Sequence, residues 1–311
     1  MKKRIVSLLL CLLLLTGCGG KPSADSSSGI TVTDDTGAEI LVPKKPETVA
    51  VLLSSLADLW MTAGGTVDIT VGETLQRGFA EEGVILVDAG AGKTIDLEAL
   101  IGAEPDFVLY ASDIAGQLEC ADALAAAGIP AAGFAVETFD DYLRLLKICT
   151  DILDTPENYA LYGVQLEKQV DALLNQANNQ ETQPSILFVR AGSTAKVTKA
   201  KTADNHFVCV MLKELGTDNI AEAAPVLLDG LSIEEILLAD PDVILYTTMG
   251  QESAGMAYME SLLTDPVWQT LTAVREGAVH QLPKELFQYK PNARWDTAYA
   301  YLIGLLYGEN V

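Results

Sequence analysis

The sequence predicts an α/β protein with two similar lobes joined by a long α-helical linker. Strand and helix patterns alternate in both halves of the chain, the stretch between the halves has a helical pattern, and a segment of sixteen residues is present in two similar copies. Alternating strands and helices with short connections are typical of a parallel sheet that is covered by helices on both faces. Each lobe is therefore predicted to be Rossmann-like, with a cleft between the lobes.

The repeated segment runs from Ile95 to Tyr110 and again from Leu231 to Tyr246. Each copy has the pattern of a short helix, a Pro-Asp turn and a buried strand. A period of 136 residues is far longer than the roughly 20–50 residues of a solenoid repeat, so the repeat indicates a duplicated lobe. The identical pairs are Glu98 and Glu234, Ala103 and Ala239, Pro105 and Pro241, Asp106 and Asp242, Leu109 and Leu245, and Tyr110 and Tyr246.

The N-terminus has the features of an export signal with a lipid-attachment site. Three cations in the first four residues precede an apolar run from Ile5 to Leu15, which is too short to span a bilayer and has the proportions of a secretory signal. The run ends in Leu15-Thr-Gly-Cys18, which resembles the bacterial lipobox. We expect residues 1–17 to be a signal peptide, Cys18 to be lipidated, for example with palmitate, and residues 18–29 to be a flexible tether. The protein is then expected on the extracytoplasmic face of the cell membrane.

The composition describes a strongly acidic protein. The formal charge is −23, and removal of residues 1–17 takes away three cations and no acid, which leaves −26. Nucleic acid and anionic membrane surfaces are therefore not expected as partners. The three remaining cysteines, Cys120, Cys149 and Cys209, are odd in number and widely spaced, which favours buried thiols over a disulfide framework.

The N-terminal lobe is predicted to span residues 30–137. Apolar and polar residues alternate between Ile30 and Val42, and this pattern predicts a β-hairpin. The apolar run from Val49 to Leu53 is typical of a parallel strand covered on both faces, and Ser54 starts the helix that follows it. The further predicted elements outside the repeat are strands at residues 67–71 and 84–87, a helix at about 120–127 and a strand at 129–136.

The linker is predicted to span residues 138–180. Thr138 is placed as the N-cap of a helix that ends near Leu153, and Thr155 as the N-cap of a second helix with Pro156 at its first position. The second helix is long enough to reach roughly 30 Å, so the linker is expected to act as a strut that permits only a small hinge motion. Its predicted buried stripe consists of Tyr159, Tyr162, Leu166, Val170 and Leu173.

The C-terminal lobe is predicted to span residues 181–311. It starts with a strand from Ser185 to Val189, which is followed by a polar stretch from Arg190 to Asp204. The further predicted elements outside the repeat are helices at residues 206–215, 256–263 and 293–307, a strand at 278–282 and a loop at 283–291.

Arg190 follows the first strand of the C-terminal lobe, at the edge where open α/β sheets bind ligands. A surface salt bridge is the alternative role for this residue. Cations focused in a cleft of an acidic protein suit an anionic ligand, so we select cationic and aromatic side chains on loops that can face the same crevice. The candidate ligand-binding residues are Ser54, Arg77, Arg190, His206, Tyr289, Lys290 and Arg294, with Lys284, Phe287 and Trp295 nearby.

A metal site and an acyl-transferase site are the alternatives to an anion-binding cleft. His206 and His280 are too few for a zinc or manganese receptor, so direct metal ligation is not expected. No cofactor is expected either. Ser193-Thr-Ala-Lys196 has the S-x-x-K spacing of penicillin-binding acyl transferases, but the K-T-G motif of those enzymes is missing. An exported serine acyl transferase that uses Ser193 and Lys196, and an envelope scaffold that binds no small ligand, stay as alternatives.

Glu98 and Glu234 occupy the same position in the two copies of the repeat. Each lies in the first turn of a predicted helix, after a capping Asp96 or Ser232, where an acidic side chain complements the helix dipole by about 0.3–1 kcal/mol. This effect explains an acid somewhere in the turn. It does not require the same position twice, which indicates a role that the two lobes share.

Several short motifs accompany the lipobox, the hairpin and the repeat: Thr33-Asp-Asp-Thr-Gly37, Asp96-Leu-Glu98, Pro105-Asp106, Gly128-Ile-Pro130 and Ser232-Ile-Glu234. Together these features resemble the substrate-binding proteins of ABC importers for iron-siderophores, haem and vitamin B12, over about residues 30–308. The resemblance implies a monomeric, non-enzymatic receptor that binds a metal chelate, most simply an iron-siderophore and otherwise haem or a cobamide. It implies delivery to an ABC permease dimer in the cytoplasmic membrane, with Glu98 and Glu234 docking onto permease arginines. It also implies that Arg190 faces an anionic siderophore.

Overall fold

The computed structural model describes residues 29–88 and 94–308. The predicted signal segment 1–17, Cys18 and the tether up to residue 28 lie outside the described residues. None of the helices in the described part has both the length and the apolar character that a membrane span requires.

An antiparallel hairpin of β1 (Gly29–Thr33) and β2 (Glu39–Pro43) comes first, as predicted, and it begins at the residue assigned to the end of the tether. The Asp34 carboxylate shapes its turn, because Oδ1 accepts a hydrogen bond from the backbone N of Thr36 at 2.9 Å. Oδ2 of the same carboxylate accepts a hydrogen bond from the backbone N of Gly133 at 2.8 Å. One buried side chain therefore both forms the turn and joins the hairpin to the N-terminal lobe.

The N-terminal lobe contains a five-stranded parallel sheet in the order β5-β4-β3-β6-β7. The chain adds strands on one side of β3 and then returns to add strands on the other side, so the order reverses between β3 and β6. The strands are β3 (Val49–Val51), β4 (Ile69–Thr70), β5 (Ile85–Leu86), β6 (Phe107–Ala111) and β7 (Ala131–Phe134), and the helices are α1 (Ser54–Thr62), α2 (Gly72–Gln76), α3 (Leu97–Gly102), α4 (Ala115–Leu118) and α5 (Ala121–Ala126).

The linker is helical, and it differs in detail from the prediction. It consists of α6 (Phe139–Leu153), α7 (Pro156–Tyr159), a π-helical segment (Ala160–Gln165) and α8 (Leu166–Asn178). Thr138 forms the predicted cap as part of a capping box with Asp141. Thr155 makes no side-chain cap, because its hydroxyl donates a hydrogen bond to the Ala63 carbonyl at 2.6 Å. In the predicted stripe, Leu166 and Val170 are buried, Tyr159 and Leu173 are half-buried, and Tyr162 is exposed.

The C-terminal lobe repeats the arrangement, with parallel strands in the order β10-β8-β11-β12 and a short strand, β9, antiparallel to β8. Three predictions are wrong here: Arg190 lies inside β8 instead of after it, the polar stretch contains β9, and the loop at 283–291 contains α14. The strands are β8 (Ser185–Ala191), β9 (Lys199–Ala200), β10 (Asp218–Asn219), β11 (Val243–Thr248) and β12 (Val279–Gln281), and the helices are α9 (Phe207–Glu214), α10 (Ile220–Ala223), α11 (Ile233–Ala239), α12 (Glu252–Leu263), α13 (Thr272–Arg275), α14 (Lys284–Phe287) and α15 (Trp295–Tyr307).

The two lobes share one apolar core that passes through the linker. Phe139 on α6 contacts Trp295 on α15, with ring centroids 5.7 Å apart, and Trp295 in turn contacts Phe207 on α9 at 6.2 Å. All three side chains are buried in the same cluster, which also contains residues of both sheets. Separate clusters cover the outer face of each sheet. The three predicted thiols, Cys120, Cys149 and Cys209, are free and buried, as expected.

The Pro-Asp turn of each repeat copy secures the start of the neighbouring strand. Asp106 Oδ2 accepts hydrogen bonds from the backbone N of Glu47 and of Thr48, both at 2.9 Å, just before β3. Asp242 Oδ2 accepts hydrogen bonds from the backbone N and the hydroxyl of Ser185, both at 2.8 Å, at the start of β8. Because β3 and β8 are the inner strands that flank the two reversal points, this part of the repeat has a structural explanation in both lobes.

The segment from residue 284 to residue 294, here called the clamp, leaves the C-terminal lobe and contacts α1 of the N-terminal lobe. The buried Asn292 side chain donates hydrogen bonds from Nδ2 to the Ser55 carbonyl at 2.8 Å and to Asp58 Oδ2 at 2.9 Å. Burial raises the pKa of the Asp58 carboxyl, and the hydrogen bond from Asn292 opposes that rise. Asn292 has a φ of 51°, in the left-handed region that asparagine tolerates better than most residues.

Replacement of Asp106 or Asp242 by alanine is expected to lower the free energy of unfolding by about 1–2 kcal/mol, because each change removes two charge-assisted hydrogen bonds to the start of a strand. Urea unfolding followed by tryptophan fluorescence measures the loss. Asp229→Ala is the matched control, since Asp229 is exposed and has no side-chain hydrogen bond in the described part of the chain. If Asp106→Ala and Asp242→Ala lowered the free energy of unfolding no more than Asp229→Ala, the two Pro-Asp turns would not stabilise the starts of the strands.

Asn292→Ala is expected to lower the free energy of unfolding by about 2–4 kcal/mol, because it removes two buried hydrogen bonds between the lobes and places a non-asparagine residue at positive φ. Asn292→Gly removes the same hydrogen bonds, but glycine adopts a positive φ without strain. The free energy of unfolding should therefore fall by about 1 kcal/mol less than in Asn292→Ala. The same unfolding measurement compares the two variants. If Asn292→Ala were as stable as the wild type, the Asn292 hydrogen bonds would not contribute to the stability of the contact between the lobes.

Candidate ligand-binding cleft

The carboxyl ends of the two parallel sheets meet at a cleft of about 580 Å³. In the N-terminal lobe, the loops after β3 and β6 contribute Leu53 and Asp113 to its lining, and in the C-terminal lobe the ends of β8 and β11 contribute Arg190 and Thr247. These are the strands between which the strand order reverses in each lobe, which is where open α/β sheets bind ligands. Residues at the reversal points of both sheets therefore line the same cleft. Of the predicted residues, Ser54, Arg190, His206, Tyr289 and Lys290 line it.

Arg190 is half-buried in the wall of the cleft. Its guanidinium has no ion pair and no hydrogen bond among the residues that the structure describes, so the surface salt bridge considered as its alternative role does not form there. A guanidinium offers five N–H donors in a planar fork that matches carboxylate geometry. Arg190 therefore presents unpaired donors to the cleft.

His206 lies beside Arg190 as the N-cap residue of α9. Its Nδ1 accepts a hydrogen bond from the backbone N of Val208 at 3.3 Å, and its ring contacts Phe188 at 4.8 Å and Phe207 at 5.3 Å between centroids. Burial, with the neighbouring cations as further causes, lowers the pKa of His206 to about 3. The imidazole is therefore neutral at pH 7, and because Nδ1 is an acceptor, Nε2 carries the proton and is the group that can donate.

Arg77 does not line the cleft, but it contacts two residues that do. Its side chain is only 6% exposed, and Nη1 donates a hydrogen bond to Ser54 Oγ at 2.8 Å. Ser54 Oγ in turn donates to Glu73 Oε2 at 2.8 Å. The Tyr289 ring covers the guanidinium, with 3.6 Å between Cζ and the ring centroid. Arg77 Nη2 also lies 3.6 Å from Glu285 Oε2, so Arg77 holds two lining residues, Ser54 and Tyr289, without lining the cleft itself.

Lys290 lines the cleft, but its charge is already paired. Its Nζ contacts Glu137 Oε1 at 2.8 Å, across the boundary between the lobes. Arg294 does not line the cleft, because it is exposed and its Nη2 donates a hydrogen bond to the Glu285 carbonyl at 3.1 Å. Of the nearby residues, Lys284 approaches the Tyr289 ring at 5.0 Å, and Phe287 and Trp295 are fully buried core side chains.

Sequence reasoning missed the acidic side chains that the N-terminal lobe contributes. Glu73, Asp113 and Glu137 line the wall that faces Arg190, so the cleft carries charges of both signs. Asp113 comes two residues after the end of β6. The carboxyl-edge rule that selected Arg190 in the second lobe would have found Asp113 if it had been applied to the first copy of the repeat.

The described residues contain no group of three or more His, Cys, Asp or Glu side chains that could hold a metal ion. Ser193 and Lys196, the pair considered for an acyl transferase, are both exposed. Neither side chain makes a hydrogen bond within residues 29–88 and 94–308, so nothing there activates the hydroxyl as a nucleophile.

Glu98 and Glu234 lie in the first turns of α3 and α11, and both are exposed. Neither carboxylate has a cation partner in the described part of the protein. Asp96 caps α3 by accepting a hydrogen bond from the backbone N of Ala99 at 3.0 Å, whereas the predicted side-chain cap by Ser232 does not form. A helix that connects parallel strands starts at their carboxyl edge, so both acids lie toward the edge of the sheets that faces the cleft.

Solved structures of similar fold are numerous, and their sequence identity to this chain is low. A periplasmic solute binding protein from Veillonella parvula DSM 2008 shares 20% identity, with a TM-score of 0.69 over 90% of this chain and 87% of that chain. The periplasmic heme-binding protein RhuT from Roseiflexus sp. RS-1 shares 21% identity, with a TM-score of 0.67 over 84% and 98%. The siderophore binding protein BauB, bound to ferric iron with two molecules of acinetobactin, shares 15% identity, with a TM-score of 0.72 over 91% and 100%.

These likenesses show a shared fold, and the family is identified from the sequence itself. No curated protein matches the sequence. The family profile described as periplasmic binding protein matches residues 49–286, which is most of the chain and includes every cleft-lining residue except Gln288, Tyr289 and Lys290. The chain therefore belongs to the periplasmic binding protein family, whose members bind solutes and do not transform them.

Proposed function

We propose that this protein is an extracytoplasmic, lipid-anchored receptor that captures a metal chelate between its lobes and delivers it to an ABC permease. The observation that carries the proposal is the cleft at the two facing reversal points, with the unpaired Arg190 guanidinium in its wall. Its volume of about 580 Å³ is in the range of roughly 300–1,000 Å³ that small-molecule sites occupy. The mechanism is reversible binding with a modest closure of the lobes and no covalent step.

The proposed ligand is an iron-siderophore, or otherwise haem or a cobamide. The names of two proteins of similar fold support this class, since RhuT is described as heme-binding and BauB is bound to a ferric siderophore complex. The donor set of the cleft agrees with it. The described residues offer no cluster of ligands for a bare metal ion, so the coordination of the metal has to come from the chelator.

Delivery is proposed to use Glu98 and Glu234 as docking residues. They are exposed at equivalent helix starts in the two lobes, which suits a partner built from two similar subunits such as a permease dimer. Arginine is the natural partner for such carboxylates, because charge-assisted pairs between guanidinium and carboxylate are directional and bidentate. A monomer held to the membrane through Cys18 and the flexible tether could present both acids to such a dimer.

Arg190→Ala is expected to weaken binding of an anionic iron chelate by about tenfold or more, because it removes charge-assisted hydrogen bonds to the ligand. A thermal-shift screen of the wild type against ferric catecholates, ferric hydroxamates, haem and cobamides first identifies the chelate, and titration calorimetry then gives the dissociation constants. Lys168→Ala, which removes an exposed cation on the linker, is the control. Equal affinities in Arg190→Ala and wild type would count against the site, and the absence of any ligand in the screen would favour the scaffold alternative.

Reversal of both charges in Glu98→Lys/Glu234→Lys is expected to abolish uptake of the radiolabelled chelate by cells while leaving its affinity for the purified protein unchanged. Like charges would then face the permease arginines. Glu119→Lys/Glu260→Lys makes the same change of charge at one exposed position in each lobe and serves as the control. Uptake equal to wild type in the first double variant would refute the docking role.

A further inference from the structure

A small chamber adjoins the cleft where α1, the end of β7 and the clamp meet. Its volume is about 30 Å³, and roughly 10–15 Å³ is enough to hold one water molecule, so the chamber admits a single small group. Leu53, Ser55, Asp113 and Lys290 line both the chamber and the cleft, so a ligand in the cleft can extend into the chamber. The proposed function leaves this chamber without a role.

Most of the chamber wall is apolar. Leu56 of α1, Phe134 at the end of β7 and Val136 just after it are buried and line the chamber. Leu53 adds an apolar side chain where the chamber meets the cleft. Contact with these side chains would remove the methylene groups of a ligand arm from water, which is favourable. The wall therefore suits a short aliphatic arm.

Asn292 presents an unused hydrogen-bond acceptor to the chamber. Its Nδ2 donates to the Ser55 carbonyl at 2.8 Å and to Asp58 Oδ2 at 2.9 Å, which uses both hydrogens and fixes the orientation of the amide. Its Oδ1 accepts no hydrogen bond from a described residue. Asn292 is 1% exposed and lines the chamber but not the cleft, so a donor can reach Oδ1 only from the chamber.

Asp113 adds a negative charge where the chamber meets the cleft. Its carboxylate makes no ion pair and no hydrogen bond with another described residue. Its position at the junction of the two spaces distinguishes it from the other exposed acids of the chain. Lys290 lines the same junction, but its Nζ is already paired with Glu137 Oε1 at 2.8 Å. The junction therefore has a carboxylate without a counter-charge among the described residues.

An alkylammonium group matches these three features together. Its N–H donors suit Asn292 Oδ1 and the Asp113 carboxylate, its charge compensates Asp113, and its methylene stem suits the apolar wall. A water molecule or a neutral hydroxyl would satisfy Oδ1 but would leave the carboxylate uncompensated when the lobes close and displace water. A bare metal ion fits poorly, because the described residues contain no cluster of ligands for one.

We infer that the chamber is a subsite for a primary ammonium group and that the chelate carries a short aliphatic amine arm, which enters the chamber from the cleft. This inference rests on the proposed function and narrows its ligand class to chelates that bear an amine. Asp113 and Asn292 are then the residues that select the amine. Arg190, which lines the cleft but not the chamber, does not take part in that selection.

The test uses titration calorimetry with two forms of one chelate: ferric desferrioxamine B, a hydroxamate with a pendant aminopentyl arm, and its N-acetylated derivative. The two forms have the same metal centre and differ only at the end of the arm. The wild type should bind the amine form about tenfold more tightly. Asp113→Asn keeps the shape of the side chain and removes its charge, so it should abolish this preference.

Asp229→Asn is the matched control. Asp229 is an exposed acid that lines neither the cleft nor the chamber, so this variant should keep the preference of the wild type. Unchanged thermal unfolding establishes that both variants are folded.

Equal affinity of the wild type for the two forms would overturn the inference, and this is the result expected if the chamber holds only water. A preference that persists in Asp113→Asn would also overturn it, because the bulk of the acetyl group would then explain the difference. If neither form bound, the inference would fall, whereas binding of haem, a ferric catecholate or a cobamide in the thermal-shift screen would keep the chelate receptor in place. Failure of every chelate in that screen would overturn the proposed function as well.

Discussion

The shared core through the linker is the constraint on which the rest of the structure depends. Phe139 of the linker contacts Trp295 of the last helix, and Trp295 contacts Phe207 of the C-terminal lobe, so the apolar surface of one lobe is buried together with that of the other. Because burial of apolar surface is the main favourable contribution to folding, the two sheets cannot separate without exposing this cluster. The Asn292 hydrogen bonds add a polar and directional contact to the same boundary. The carboxyl edges of both sheets are thereby held around one cleft.

Electrostatics then distinguishes the two walls of that cleft. Arg190 lies in the wall of the cleft and has neither an ion pair nor a side-chain hydrogen bond among the described residues. Lys290, by contrast, is neutralised by Glu137, and Arg77 is enclosed between Tyr289 and Ser54. The cations selected from the sequence therefore differ in their surroundings: Lys290 forms an ion pair between the lobes, Arg77 contacts Ser54 and Tyr289, and the Arg190 guanidinium is unpaired among the described residues.

Much of the fold could be predicted because its signals are local. Apolar runs indicate the inner strands, the repeat indicates two lobes, and the carboxyl-edge rule selects Arg190 from its position along the chain. The missed features depend on contacts between distant parts of the chain. Asn292 bonds to Ser55 across 237 positions, and β9 is a strand only because it pairs with β8. The position of Arg294 on a loop near the crevice predicts that it lines the cleft, whereas its side chain donates a hydrogen bond to the Glu285 carbonyl. Periodicity and propensity carry no information about such pairings.

The repeat contains two kinds of identity that call for different explanations. Asp106 and Asp242 are accounted for within the molecule, because each carboxylate bonds the start of the strand next to its own turn. The identity of Glu98 and Glu234 is not explained by contacts within the molecule, since both side chains are exposed and neither forms an ion pair with a described residue. Helix-dipole effects favour an acid in the first turn, yet they act as well on a neighbouring position, such as that of Glu235. Identity at one exposed position in both lobes is the observation that the proposed docking onto a permease dimer would explain.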